Sequence, residues 1–186
     1  MSRFNNFIRA HASGRTVLLL LAVSVASFAV MAAVIAPAFQ EATGGLRPFD
    51  LNFGVSAEVV YRDLPLYTDR SRNIYLAFAV ADYIYPAAAA TFFALFWAWM
   101  FKKAPNPFFE RLIRAGILGF PFLFAIADWL ENAGFLFVIF SYPEEYPGVA
   151  SFAGTLKGTK PLIELLILIF TVAFAAVTIR QSRAKD

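Results

Sequence analysis

The sequence predicts an all-α fold, a four-helix transmembrane bundle, and three observations support this prediction. Hydrophobic residues make up 60% of the 186 residues, and the mean hydropathy is +0.63. Charged residues make up only 16%, whereas soluble domains average about 25%. Four segments each hold roughly 20 or more mostly apolar residues, which is the length that crosses a bilayer as a helix. A soluble fold would leave too much of this apolar surface in water, so we expect lipid as the solvent.

The four predicted helices belong to one integral membrane domain, residues 1–186, and cover about residues 16–38, 73–101, 107–140 and 150–180. Hydropathy alone allows the fourth helix to start anywhere between Ala150 and Pro161. The first segment also has a feature of a signal peptide, because the sequence Ala36-Pro37-Ala38 resembles a cleavage site. Its apolar run is longer than the roughly 7–15 residues of a signal peptide, so we interpret it as a retained helix.

Lysine and arginine residues are distributed unequally between the two ends of these helices. If the N-terminus faces the cytoplasm, the cytoplasmic segments carry ten of them and the outer segments carry six. Cytoplasmic loops of membrane proteins are enriched in Lys and Arg, so this bias predicts that both termini are cytoplasmic. We expect a multi-pass protein of a bacterial inner membrane. The same topology accounts for the net charge of +3, which therefore does not indicate a nucleic-acid partner.

The connection between the first two predicted helices is long and runs over residues 39–72. Within it, Ser56 is a typical N-cap, and mixed apolar and charged residues follow it. This pattern predicts a short interfacial helix on the outer surface. The next connection is short, with Asn106 as an N-cap and Pro107 as the first helical residue, and it predicts an antiparallel hairpin of helices two and three.

Cysteine and histidine usage excludes several kinds of chemistry. The chain has no cysteine and a single histidine, His11. Disulfides, iron–sulfur clusters, thiolate metal sites and thiol catalysis are therefore excluded. Bis-histidine haem and histidine-based metal centres within the chain are excluded as well. We expect neither a cofactor nor a metal site.

Several ionisable residues lie inside the predicted helices, where each costs about 2.5–3.5 kcal/mol to insert. Such residues persist when they are paired, face a cavity or serve a function. At about 1.5 Å per residue, the acids of helices two and three lie about 13–18 Å below the outer helix ends. If helix four begins near Ala150, its charged residues share this layer in the outer half of the bilayer. The residues are Asp82, Asp128, Glu131, Lys157, Lys160 and Glu164.

Helical spacing gives each set of polar residues a common direction. Positions i, i+3, i+4 and i+7 of a helix lie on one face. On an otherwise apolar helix, we expect such a face to point towards the interior of the bundle. The two faces comprise Asp128, Glu131 and Asn132 on helix three and Lys157, Lys160 and Glu164 on helix four.

Prolines and aromatic residues occur close to the same layer. Pro86 has no N–H and its ring displaces the carbonyl of Asp82, four residues earlier, and Pro161 acts in the same way in helix four. We expect these helices to bend and to line a polar cavity. Tyr85 and Trp129 lie at a similar depth, and a carboxylate beside aromatic faces suits a cationic amine.

Three functional interpretations remain open. The first is an acid-lined pocket in the outer half of the bundle that binds a small lipophilic or cationic ligand. The second is an accessory or structural subunit of a larger membrane complex, in which the charges form an ion network that sets helix register. The third is an acid–base enzyme on a lipid substrate, which needs two carboxyl groups converging on one cavity. Membrane lipids, a small ligand and partner membrane subunits are the expected partners.

Two short motifs carry a resemblance to a known family. RNIYLAFAVADYIYP, residues 72–86, places an acid before a proline in helix two, and IADWLEN, residues 126–132, places acids in helix three. This layout resembles the EXPERA superfamily, which contains the sigma-2 receptor and the sterol Δ8–Δ7 isomerase. The resemblance implies a four-helix membrane protein in which Asp82 is the ligand-facing acid, with Asp128 or Glu131 as its partner. The isomerase branch uses an intramembrane histidine, which this chain lacks. The segment ADWLEN also resembles uncharacterised bacterial membrane proteins.

Overall fold

The computed structural model describes residues 3–52 and 54–183, and these residues form helices joined by turns and loops, without strands. The predicted all-α fold with four long apolar helices is therefore confirmed. Short 3₁₀ turns occur at Phe49–Leu51, Leu64–Leu66 and Ile117–Gly119. The α-helices are α1 (Arg3–His11), α2 (Gly14–Val30), α3 (Ala36–Thr43), α4 (Ala57–Asp63), α5 (Asp69–Lys103), α6 (Pro107–Arg114), α7 (Phe122–Ser141) and α8 (Pro147–Arg183).

Four helical segments of the described chain are long and apolar enough to cross a membrane, so the chain is a multi-pass membrane protein. Each segment except the third extends beyond the predicted helix at both ends. The additional turns are mostly polar, so hydropathy does not predict them. A spanning helix can continue beyond the hydrocarbon core into the polar interface. The segments are Gly14–Thr43, Asp69–Lys103, Ile117–Ser141 and Pro147–Arg183.

The first spanning segment contains a π-helical turn, Met31–Ile35, between α2 and α3. Pro37 follows it at the start of α3 and has no N–H, so the carbonyl of Ala33 cannot receive its usual bond from four residues ahead. The backbone N–H of Ala36 instead donates to Met31 O in the wider π register. The segment ends at Gly44, whose φ of 71° is a left-handed conformation that favours glycine.

The third predicted helix is divided in the structure. Asn106 caps α6 by accepting a hydrogen bond of 2.9 Å from Phe109 N, and Pro107 is the first helical residue, both as predicted. The helix then ends at Arg114, because Gly116 takes a φ of 88°. Pro121 stands directly before α7 and restricts the backbone that precedes it. The predicted continuous helix over residues 107–140 is therefore a short amphipathic helix followed by a separate spanning segment.

The long connection contains the short helix that Ser56 predicts. Ser56 Oγ accepts a hydrogen bond of 3.3 Å from Val59 N and so caps α4. Further along, Thr68 and Ser71 cap the start of α5 reciprocally, with Ser71 N donating to Thr68 Oγ1 at 3.2 Å and Thr68 N donating to Ser71 Oγ at 2.9 Å. This pair satisfies two backbone N–H groups that a helix start otherwise leaves unpaired.

The chain divides into two compact units. The first unit comprises the described residues of Met1–Val23, Ala87–Ala125 and Leu162–Asp186. Its interior is aromatic: Trp97 is fully buried, its Nε1 donates to Thr171 Oγ1 at 2.8 Å, and its ring lies edge-on to Phe174. Arg9 of α1 holds Glu110 of α6 through two hydrogen bonds of 3.1 and 3.2 Å, which ties these two amphipathic helices together.

The second unit comprises Ser24–Pro86 and Ile126–Pro161. Its core is formed partly by the long connection, because Phe49 is fully buried and its ring contacts those of Tyr67, Tyr75 and Phe135. Val60 and Leu64 of the same connection are fully buried as well. The connection therefore packs into this unit as part of its core, and it brings Asp50 with it.

Candidate functional site

Eight of the nine predicted site residues lie in the second unit, and six of these eight contact one another. Asp82 on α5 and Asp128, Glu131 and Asn132 on α7 are all buried, with at most 6% of their surface exposed. Their positions in the helices explain this, because the i, i+3, i+4 pattern on α7 places its three polar residues on one face. Lys157 and Lys160 on α8 supply the positive charges that meet them.

The two lysines hold the acids of α7. Lys160 Nζ lies 2.5 Å from Asp128 Oδ1 and 2.5 Å from Glu131 Oε2, so one ammonium group joins two carboxylates. Lys157 Nζ lies 4.0 Å from Glu131 Oε1, on the other oxygen of the same carboxylate. Breaking a buried pair of this kind costs about 3–5 kcal/mol, because the remaining charge is left without compensation. These contacts therefore fix the register between α7 and α8 within the unit.

Asn132 joins the remaining two carboxylates. Its Nδ2 donates to Asp82 Oδ2 at 3.0 Å and to Asp128 Oδ2 at 3.1 Å. Two carboxylates from different helices thus converge on a single amide nitrogen. Such a convergence of acids is the geometry that acid–base chemistry needs.

A further acid enters from the long connection, and sequence reasoning missed it. Tyr75 OH donates to Asp50 Oδ2 at 2.5 Å, and Lys157 Nζ donates to the backbone carbonyl of Asp50. The signal in the sequence is weak: Asp50 stands between the apolar residues Phe49 and Leu51, within a stretch that otherwise reads as irregular chain. We refer to Asp50, Asp82, Asp128, Glu131, Asn132, Lys157 and Lys160 together as the charged cluster.

The charged cluster contains more acid than base. It holds four carboxyl groups, those of Asp50, Asp82, Asp128 and Glu131, against two ammonium groups. The imbalance is concentrated at Asp82: among the described residues, no Lys or Arg nitrogen lies within 4.0 Å of its carboxylate. The hydrogen bond from Asn132 is the contact that stabilises this group, and it carries no formal charge.

The three other predicted site residues are Trp129, Tyr85 and Glu164. Trp129 is 37% exposed, and its Nε1 donates to Tyr83 O at 3.0 Å, while Tyr83 OH donates to Trp129 O at 3.4 Å. The ring of Tyr85 lies 5.9 Å from that of Phe28. Glu164 belongs to the first unit and is exposed.

Tyr67 borders the cluster from the connection. Burial raises the pKa of its phenol well above the usual value, and the charges of Asp63 and Asp50 raise it further. Its hydroxyl is buried without a hydrogen-bond partner in the described part of the chain. Tyr67 therefore stays protonated at any ordinary pH, and its OH is a donor without an acceptor.

Comparison of the chain with protein-family models, with curated proteins and with solved structures finds no match. The resemblance to the EXPERA superfamily accordingly stays a prediction. Among the described residues, no group of three or more His, Asp or Glu side chains has an arrangement that could hold a metal ion.

Proposed function

We propose that the second unit binds a small lipophilic cation at Asp82. The observation that supports this most directly is the excess of carboxylates in the charged cluster. Asp128 and Glu131 contact Lys160, whereas Asp82 is buried and, among the described residues, receives a hydrogen bond only from the amide of Asn132. A buried carboxylate is stable as an ion only when a cation approaches it, and a ligand ammonium group would supply that cation.

Aromatic residues support an amine as the ligand. Tyr83 follows Asp82 in the sequence, Trp129 follows Asp128, and their backbone and side chains are joined by reciprocal hydrogen bonds. Aromatic faces attract cations by about 0.5–2 kcal/mol, in addition to the attraction of the carboxylate. The partly exposed Trp129 belongs to a spanning helix, so a ligand that reaches it from lipid must itself be lipophilic.

Substitution of the acid without change of shape tests the proposal. In lipid nanodiscs, N,N-dimethyldodecylamine should raise the unfolding temperature of the wild-type protein, whereas dodecanol, which has no charge, should not. Asp82→Asn should abolish the effect of the amine. The variant keeps an acceptor oxygen for Asn132, so we expect it to fold. Asp69→Asn, at an exposed acid of the same helix, is the matched control and should respond as the wild type does.

A structural ion network is the second candidate, and the contacts of Lys160 favour it. Its ammonium group lies at 2.5 Å from two carboxylates, which is close pairing with no gap for a ligand between them. This candidate predicts that the amine has no effect on the wild type and that Asp82→Asn leaves the unfolding temperature unchanged or raises it. An amine effect that persists in Asp82→Asn would also exclude Asp82 as the binding residue.

We further propose that both termini face the cytoplasm of a bacterial cell. Support comes from basic residues at the helix ends that this orientation places in the cytoplasm. Among them are Arg9 of α1, Lys102 and Lys103 at the end of α5, and Arg180 in the last turn of α8. Basic residues flanking spanning helices remain on the cytoplasmic side during insertion.

A further inference from the structure

A groove in the second unit lies between the first spanning segment and the start of α5. It has a volume of about 560 Å³, which is in the range of small-molecule sites. No residue of the charged cluster is among the residues that line it. It is lined by Val34, Ile35, Ala38, Arg70, Asn73, Ile74 and Ala77.

The groove changes from polar to apolar along its length. Arg70, Asn73, Ile74 and Ala77 are spaced i, i+3, i+4 and i+7, so they form one stripe of α5. The two polar residues, Arg70 and Asn73, lie in the first turns of α5. The two apolar residues, Ile74 and Ala77, lie one and two turns beyond Arg70, further into the spanning segment. The residues of the opposite wall are all apolar: Val34 and Ile35 belong to the π-helical turn, and Ala38 belongs to α3.

A phospholipid has the same polarity pattern as this groove. A guanidinium group binds phosphate through two parallel hydrogen bonds, and an asparagine amide can donate a further one. Arg70 is the second residue of the spanning segment Asp69–Lys103, and we expect residues at the ends of such segments to lie at the level of the headgroups. The small side chains of Ala38 and Ala77 leave space beside Ile74 for an acyl chain.

We propose that this groove binds an anionic phospholipid, with its phosphate at Arg70 and Asn73 and an acyl chain along Ile74 and Ala77. Charge complementarity at Arg70 selects an anionic over a zwitterionic headgroup. Glu41 of α3 lies 3.7 Å from Arg70 and competes with the phosphate for it. Both side chains are largely exposed, and such pairs contribute little, so the lipid can displace Glu41.

Quenching of a site-specific fluorophore by spin-labelled lipid tests this proposal. The chain has no cysteine, so one introduced cysteine gives a single attachment point for the fluorophore. A Val80→Cys variant carries a fluorophore at an exposed position of α5 that lies three residues beyond the groove and does not line it, and a Leu165→Cys variant carries it at an exposed position of α8 in the other unit. Each is reconstituted with phosphatidylglycerol or phosphatidylcholine bearing a doxyl group on the acyl chain. The ratio of quenching by the two lipids measures headgroup preference at each position.

We expect the anionic lipid to be preferred about fivefold at position 80 and not at position 165, since one basic residue near the surface contributes about that factor. Adding Arg70→Gln should remove the preference, Arg70→Lys should retain part of it, and Glu41→Gln should increase it. Equal ratios at the two positions, or a preference that survives Arg70→Gln, would overturn the proposal. Strong quenching by both lipids alike would also overturn it, because the groove would then accept acyl chains without selecting a headgroup.

Discussion

Asn132 is the residue of the charged cluster that links the acids of α5 and α7. Its amide nitrogen is the donor to both Asp82 and Asp128, and its Oδ1 is buried without a hydrogen-bond partner in the described part of the chain. A donor that serves two carboxylates cannot be replaced by an acid of the same size. Asn132 therefore controls how closely α5 and α7 can bring their acids together in this unit.

Asn132→Asp should destabilise the protein. The substitution removes the amide donor and adds a further carboxyl to a cluster that already has more acids than bases, and loss of a buried donor to a charged group costs about 1–3 kcal/mol. Thermal unfolding in detergent, followed by circular dichroism, measures the change. Asn73→Asp makes the same chemical change at an exposed residue and should have little effect. An Asn132→Asp variant as stable as the wild type would contradict this account.

Of the charged cluster, the residues in the spanning helices were predicted from the sequence, whereas Asp50 in the long connection was missed. Asp82, Asp128, Glu131, Lys157 and Lys160 stand out in a sequence because an apolar helix has few reasons to hold an ion. Asp50 does not stand out, since an acid in a loop is ordinary. Its inclusion depends on Phe49 packing among Tyr67, Tyr75 and Phe135, and tertiary contacts of that kind leave no periodic pattern in the sequence.

Among the elements, α8 depends on a glycine for its close approach to the long connection. A Cβ added at Gly154 would lie 2.2 Å from the backbone carbonyl oxygen of Val55, in the long connection. A backbone atom cannot move aside as a flexible side chain can. The absence of a side chain at Gly154 is thus the condition for the connection to lie against α8, and Lys157, one turn later on the same helix, then reaches Asp50.

Gly154→Ala should weaken the packing of the connection, while Gly158→Ala should not. Both glycines lie in α8, but a Cβ at Gly158 meets nothing within 4 Å. In a helix interior alanine is favoured over glycine by about 1 kcal/mol, so Gly158→Ala should leave stability unchanged or raise it. Gly154→Ala should lower the unfolding temperature and increase amide hydrogen exchange over residues 46–56. Matching exchange profiles for the two variants would refute the close contact.

The elements also mark where pattern-based prediction is weakest. Ser56 and Asn106 were recognisable as caps, because capping depends on one side chain and its nearest backbone. The division of the third helix was not recognised, since its hydropathy continues through Gly116 and Pro121. The π-helical turn was missed for a related reason: Pro37 constrains only its own N–H, and the backbone can respond by a kink or by a wider turn.

For the molecule as a whole, the four spanning segments differ in how far the chain covers them. About half of the most apolar window is buried in Asp69–Lys103 and in Ile117–Ser141, at 56% each, compared with 11% in Gly14–Thr43 and in Pro147–Arg183. The first and last segments therefore present most of their apolar surface to lipid or to another membrane protein. Composition predicted the number of segments, but it contains no information about which of them are covered.

Orientation is a property of the whole chain, and single cysteines can report it. With both termini in the cytoplasm, an impermeant maleimide should label Glu145→Cys, in the loop between α7 and α8, on intact cells. Ser13→Cys and Ser182→Cys, near the two ends of the described chain, should react only after the membrane is permeabilised. All three positions are exposed, so differences in labelling reflect the side of the membrane. Labelling of positions 13 and 182 on intact cells would reverse the proposed topology.

Both cations of the charged cluster stand on α8, and this has a consequence for how the protein is made. Asp82, Asp128 and Glu131 precede Lys157 and Lys160 in the chain, so the acids reach the membrane ahead of the segment that carries their counter-ions. Each acid costs about 2.5–3.5 kcal/mol to insert alone. The nascent chain therefore passes through a costly interval that ends for Asp128 and Glu131 when the last spanning segment arrives and pairs them with its lysines.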